Sequence, residues 1–182
     1  KQFQVFASAK GVDWLRPTGA TDNMPAVNVN WLMAQGFSQW IADSTGKKYK
    51  LPTEAQWEYA CRAGSTSQFS FGDSADQLGE FAWTAQDGGD GPRAVGSKRA
   101  NAFGLFDMHG NVWEWCLDFY SPQFYQNRPR QNPANLQQQV PYRVVRGGSY
   151  SVDAVFCRSS VRSRQTPDTV QPFIGFRLVR EP

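Results

Sequence analysis

Three thiols, one imidazole, a loop with two carboxylates and a late run of arginines are the groups in this 182-residue chain whose types and spacing could do chemistry. Cys61, Cys116 and Cys157 lie far apart, odd in number and without a C-x-x-C, which fits neither a dense disulfide framework nor a zinc ribbon. One pair plus a free thiol, or three buried thiols, are the two readings left. His109 is the single histidine, so multi-histidine zinc sites, two-histidine iron sites and any His-paired nucleophile away from it are excluded. The run from Asp107 to Glu114 sets two carboxylates seven residues apart around Gly110. Such a loop can offer side-chain oxygens from both ends and carbonyls between, a hard-ligand set that suits Ca²⁺. The other reading of the same run has Asp107 capping a turn and Glu114 pairing with an arginine. His109 reads as a hydrogen-bonded structural residue, because neutral imidazole adds little to a calcium shell.

Residues 143 to 180 hold seven arginines and two acids, a local charge of +5 in a chain whose total is +3. Four of them, Arg146, Arg158, Arg162 and Arg177, can fork onto carbonyls or carboxylates and serve the fold. The total is too mild for nucleic-acid binding by bulk electrostatics. No stretch approaches the twenty or so apolar residues of a membrane span, so no membrane insertion is expected.

These groups need elements to hold them. Asn30 can cap a helix whose Trp31, Ala34, Phe37, Trp40 and Ile41 share one face before Gly46 ends it. A second helix follows Thr53, with Gln56 completing a capping box, and should run to about Arg62 and stop at Gly64. Residues 65 to 101 are Gly, Ser, Asp and Ala with isolated aromatics, Phe69, Phe71, Phe81 and Trp83, and read as a long ordered loop pinned by rings. RVVRGGSY (143–150) and FIGFRLVR (173–180) read as two strands. The length suits one domain, 1–182. The chain opens within an apolar-polar alternation (Phe3, Val5) and without an initiating methionine, so it is expected to be the C-terminal part of a longer protein.

Four motifs in order, LPTEAQWEYACRAG (51–64), NAFGLFDMHGNVWEWC (101–116), RVVRGGSY (143–150) and GFRLV (175–179), resemble the formylglycine-generating enzyme, or sulfatase-modifying factor, family. The resemblance implies that family's variant of the C-type lectin fold, an α+β domain with two helices, a small twisted antiparallel sheet and many ordered loops. It also implies a calcium loop in which Asp107 and Glu114 bind through side chains and Gly110 and Val112 through carbonyls. The family's second calcium site has no counterpart, since Phe81 stands where a ligating Asn would be expected. The aerobic enzymes of the family carry a reactive, copper-holding cysteine pair shortly after GGSY. Here that stretch holds only Cys157, so no copper site and no catalysis are expected, and a lone thiol cannot chelate as two can. The histidine cluster of the family's iron-dependent sulfoxide synthases is missing too.

The late segment also resembles the variable proteins of diversity-generating retroelements, which use this fold and end in a similar RGGS…CRS…R…PD…IGFR frame. Between the fixed-looking positions lie Tyr150, Ser151, Val152, Asp153, Val155 and Phe156, then Val161, Ser163, Arg164 and Gln165, then Thr169, Val170, Gln171 and Phe173. Between Tyr150 and Phe173 only Gln165 and Gln171 fall outside the residues reachable by changing the adenines of an AAC codon. Apolar anchors beside Arg164 and Asp153 suit a protein contact; whether Phe156 and Phe173 face outward or into the core is not fixed by short-strand alternation. The expectation is a monomeric, non-catalytic domain that binds a protein or other macromolecular ligand through residues 150–173. A sulfatase-modifying oxidase using Cys157 and a fixed accessory domain of a bacterial signalling protein such as a kinase are the alternatives. The variable receptor implies a cell-surface or extracellular location, and the kinase-associated domain a cytoplasmic one.

Overall fold

The structure, a computed structural model, describes residues 1–87, 89–126, 131–137 and 140–182. Among them are the helices α1 (Gln2–Lys10), α2 (Trp31–Thr45), α3 (Glu54–Arg62) and the one-turn α4 (Leu78–Phe81). The strands are β1 (Tyr49–Lys50), β2 (Trp113–Phe119), β3 (Arg143–Arg146), β4 (Ser163–Gln165), β5 (Ile174–Gly175) and β6 (Val179–Arg180).

The two long-range helices begin and end where local chemistry says they should. The Asn30 side chain accepts the Met33 N–H at 2.8 Å, and Gly46 closes α2 in the left-handed conformation. Thr53 and Gln56 form the reciprocal capping box of α3, with bonds of 3.2 and 3.0 Å, and the left-handed residue at its end is Ala63, one before Gly64. Trp31, Ala34 and Phe37 are buried, while Trp40 and Ile41 pack at the edge of the same cluster. At the chain start the helical period wins over the alternation: Phe3, Phe6 and Ala7 are buried and Val5 is half exposed. Phe3 and Phe6 meet Phe37 at centroid distances of 5.5 and 5.6 Å, which docks α1 on α2.

The main sheet runs β4-β3-β2-β5, antiparallel except for β2 with β5, which are parallel. A separate pair, β1 with β6, ties Lys50 to Val179. The segment 173–180 is therefore two strands in two sheets, not one. Within β5, Gly175 passes the Ala26 carbonyl so closely that an added Cβ would lie 2.6 Å from the oxygen, so only glycine lets the two backbones approach there. The central strand β2 has no alternating pattern, since six of its seven residues are buried. Val29, Trp31, Ala34, Phe37, Leu51, Trp113, Trp115, Val145 and Ile174 make the core between α2 and the sheet. The loop 65–101 is pinned by rings: Phe69 stacks on Phe71 (5.1 Å) and Phe71 on Phe81 (4.4 Å), while Lys98 Nζ sits 3.7 Å over Trp83.

Candidate functional site

The three thiols decide what redox chemistry is open to the chain. All three are free and buried. Burial pushes the Cys157 and Cys61 thiols up to about 12 and the Cys116 thiol well above its ordinary value, so none is a thiolate at neutral pH. Cys157 is sealed from behind by Gly148, whose φ is +79° and where an added Cβ would lie 2.5 Å from the sulfur. Cys61 Sγ lies 3.6 Å from Ser159 Oγ and 3.8 Å from both ring nitrogens of His109. His109 itself is held at both ends. Its Nδ1–H donates to the Cys157 carbonyl (2.9 Å), and Nε2 accepts the Ser70 N–H (3.1 Å). Burial pushes this imidazole down to about 4, so it is neutral and structural.

The carboxylates of the 107–114 loop do different work. Both Glu114 oxygens are taken: Arg177 donates through Nε (2.5 Å) and Nη2 (2.7 Å), and Trp57 Nε1–H donates at 2.7 Å. Asp107 sits at φ 58°, and its Oδ2 accepts the Gly96 N–H at 2.8 Å. Among the described residues its Oδ1 is buried without a hydrogen-bond partner, and burial raises the carboxyl above its ordinary range. Gly110 allows the turn because the Trp83 carbonyl would lie 2.4 Å from any Cβ there. Asp107, Gly110, Val112 and Glu114 all line one cleft of about 390 Å³. The open oxygen of Asp107 suits a hard cation, whereas Glu114 is already neutralised by Arg177. Among the described residues no three His, Cys, Asp or Glu side chains converge as a metal cluster.

Three of the four arginines given to the fold are deeply engaged. Arg146 is fully buried and bonds Glu58 and the Val161 carbonyl, with Glu54 at 3.4 Å. Arg162 forks onto Glu54 at 2.6 and 2.7 Å, and Arg177 onto Glu114. Arg158 is only half-buried and reaches the Val155 carbonyl at 3.0 Å.

Residues 150–173 split between surface and core. Ser151, Asp153, Val155, Phe156, Arg164 and Val170 are exposed. Val152, Val161, Ser163, Gln165, Thr169 and Gln171 are half-buried, and Tyr150 is buried. Phe156 is 49% exposed on the short 3₁₀ turn Ala154–Cys157, whereas Phe173 packs against the core beside Val27, Val112 and Tyr150. Tyr150 and Pro172 line a cleft of about 460 Å³ together with Pro17, Met24, Val27 and Arg93. A larger cleft of about 610 Å³, floored by Phe3, Trp14, Phe37 and Phe176, is lined by none of residues 150–173.

A stack of rings and guanidinium groups stands beside β4, assembled from residues far apart in the sequence. Arg162 lies 4.9 Å from the Tyr120 and Tyr125 ring centroids, and Arg164 lies 4.9 Å from Tyr120 and 5.2 Å from Tyr142. The order is Tyr125, Arg162, Tyr120, Arg164, Tyr142. The i, i+2 spacing of the two arginines on a strand was the available signal; the tyrosines arrive from distant segments.

Residues 1–182 match the family described as the sulfatase-modifying factor enzyme 1-like domain. The formylglycine-generating enzyme of Streptomyces coelicolor is 36% identical over 195 residues, covering 96% of this chain and 60% of the relative. Among solved structures, PvdO from Pseudomonas aeruginosa superimposes with a TM-score of 0.88 at 30% identity, covering 98% of this chain and 76% of the other. Variable protein 1 of Treponema denticola superimposes at 0.82 with 25% identity, over 92% and 75%. The α+β, C-type lectin-like architecture is thus shared with PvdO and with a variable protein.

Proposed function

The chain belongs to the sulfatase-modifying factor enzyme 1-like domain family, and within that family we propose that it is a ligand-binding domain without catalytic activity, which presents residues 150–173 as a retroelement-diversified surface to a macromolecule. The observation that carries this reading is the turn at 151–157. There Val155 and Phe156 stand exposed while the one thiol of the segment, Cys157, is buried beneath them with its acidity suppressed. Exposed apolar groups on an ordered turn, with Asp153 in the same turn and the exposed Arg164 on β4, supply the anchors and orienting charges of a protein contact. The variable protein of Treponema denticola, similar over 92% of this chain, supports the same reading.

The test is deep sequencing of this gene across a clonal source population, comparing codons 150–173 with codons 1–140. Substitutions concentrated at adenine-derived positions in the first window support a diversified receptor. Equal invariance in both windows would leave a fixed binding or accessory domain.

One finding favours a second reading, oxidation of a cysteine in a substrate peptide: the 36% identity to a formylglycine-generating enzyme. The chain spans 50–64% of the length of the formylglycine-generating enzymes of Streptomyces, mouse and Thermomonospora it matches, so the whole-protein activity is carried over only as a proposal. An assay of cysteine-peptide oxidation separates the two. Turnover that disappears in Cys157→Ser would replace the binding reading with the enzymatic one.

For the loop, we propose a structural Ca²⁺ held by the open Oδ1 of Asp107 and the carbonyls of Gly110 and Val112, with Glu114 shared between the ion and Arg177. Its role would be to fix the loop that carries His109 and leads into β2. Differential scanning calorimetry should show a lower Tm with chelator than with millimolar Ca²⁺, because an ion that binds only the folded state stabilises it. Asp107→Asn should remove most of that difference. A Tm unchanged by chelator would rule the ion out.

A further inference from the structure

We infer that Arg164, clamped between two tyrosine rings at the edge of the main sheet, is a preset receptor for a carboxylate on an extended acidic peptide of the partner. The inference rests on reading residues 150–173 as a binding surface, and it names the chemistry that surface selects. It also brings in Tyr120 and Tyr142, which lie outside that segment.

Arg162 and Arg164 share the ring stack but differ in what they hold. Arg162 is spent inward, with both its forks on Glu54. Arg164 is exposed, stacked at 4.9 and 5.2 Å on Tyr120 and Tyr142, and makes no hydrogen bond or ion pair among the described residues. No local acid stands ready to quench it. Residues 154–167 contain three arginines and no Asp or Glu. Of the buried carboxylates beneath, Glu54 serves Arg162, and Asp118 accepts the backbone N–H groups of Glu54 and Asn135 at 2.8 Å each. A guanidinium fixed by rings has already lost much of its rotamer freedom, so its bidentate fork meets a carboxylate with less entropy left to lose.

The backbone supplies the second half of the recognition. β4 is the edge of the sheet order β4-β3-β2-β5, and, among the described residues, 163–165 make no backbone bond beyond their pairing with β3. An extended segment laid along that edge would pair its backbone with β4 while an alternate side chain reaches Arg164. A free anion uses only the guanidinium, whereas an anion carried on a peptide side chain uses both features, and a carboxylate is the anion that an unmodified peptide supplies.

The probe is an acetylated, amidated, fluorescently labelled ten-residue peptide of alternating Glu and Val, followed by anisotropy at low salt against the whole chain. Saturable binding is expected, at least about tenfold tighter than for the same peptide with Gln in place of Glu. Arg164→Gln should lose about tenfold, Arg164→Lys should fall between, and Tyr142→Ala should lose several-fold while Tyr142→Phe keeps the ring and the affinity. N-methylation of alternate residues of the peptide should abolish binding if the strand edge is used. Equal binding of the Glu and Gln peptides, or no effect of Arg164→Gln in a variant of unchanged Tm, would overturn the proposal. Displacement by inorganic phosphate as readily as by unlabelled peptide would reduce the site to a free-anion site and overturn it likewise. The codon survey reads something else. Invariant codons together with an intact Arg164 effect would remove the diversified reading and leave this one standing.

Discussion

His109 shows how a single residue type can be read correctly for class and still hide its role. The sequence places it in a loop as a structural imidazole, and its partners, Ser70 and the Cys157 carbonyl, come from both sides of the chain. The neutral ring donates at one nitrogen and accepts at the other, an arrangement that protonation breaks. Its folded-state pKa, about 4, lies below the ordinary 6.5, so in the unfolded chain it takes up a proton at a pH where the folded form does not. Its contribution to stability is therefore complete above pH 6.5 and drains away as pH falls from 6.5 to 4, by about 3 kcal/mol in all. Urea unfolding at stepped pH should show that loss in the native chain and a flatter profile over the same window in His109→Gln. A profile with the same slope in both would mean that the carboxylates, not this ring, set the acid limit.

At the scale of elements, the turn that follows β3 governs how the candidate surface is presented. Gly147 and Gly148 both take positive φ, and the second leaves room for Cys157 to fold underneath while Val155 and Phe156 face out. Gly148→Ala would bring a Cβ to within 2.5 Å of the sulfur at a φ that L residues avoid. It should cost roughly 2–4 kcal/mol in denaturant unfolding. The double variant Gly148→Ala, Cys157→Ala should recover only the clash with the sulfur, leaving the 3.1 Å approaches to the Cys157 Cα and the Phe156 carbonyl and the cost of the positive φ. Helices α2 and α3 present the contrasting case. Their ends were legible because caps and left-handed terminators are local, whereas β2 was hidden because burial on both faces erases the period that marks a strand.

Across the whole molecule, a line of buried charge links α3 to the late segment. Arg162 holds Glu54, Glu54 lies 3.4 Å from Arg146, Arg146 holds Glu58, and Glu58 pairs with Arg62 at 2.8 Å. Glu54 and Arg146 are almost wholly excluded from water. Removing the acid leaves two guanidinium groups under-compensated, so Glu54→Gln should destabilise the fold by about 3–5 kcal/mol. The same variant should loosen Arg162 and with it the ring stack that holds Arg164. Calorimetry reads the first effect and loss of acidic-peptide binding the second. A variant that keeps full stability would show that the charges are held by the fold rather than holding it.

The sequence by itself determined the class of fold, the two capped helices, the ring-pinned loop and the family frame, because each depends on local periodicity or on the order of motifs along the chain. The tertiary structure decided which groups are free to act. Glu114 meets Arg177 across 63 residues and Arg162 meets Glu54 across 108. No local pattern announces such pairs. It also decided that Phe156 faces water and Phe173 faces the core, since the phase of a short strand or turn is fixed by what packs against it. Arg162 and Arg164 look alike in the chain; burial beside Glu54 commits the first to the fold, and exposure between two tyrosines leaves the second able to bind.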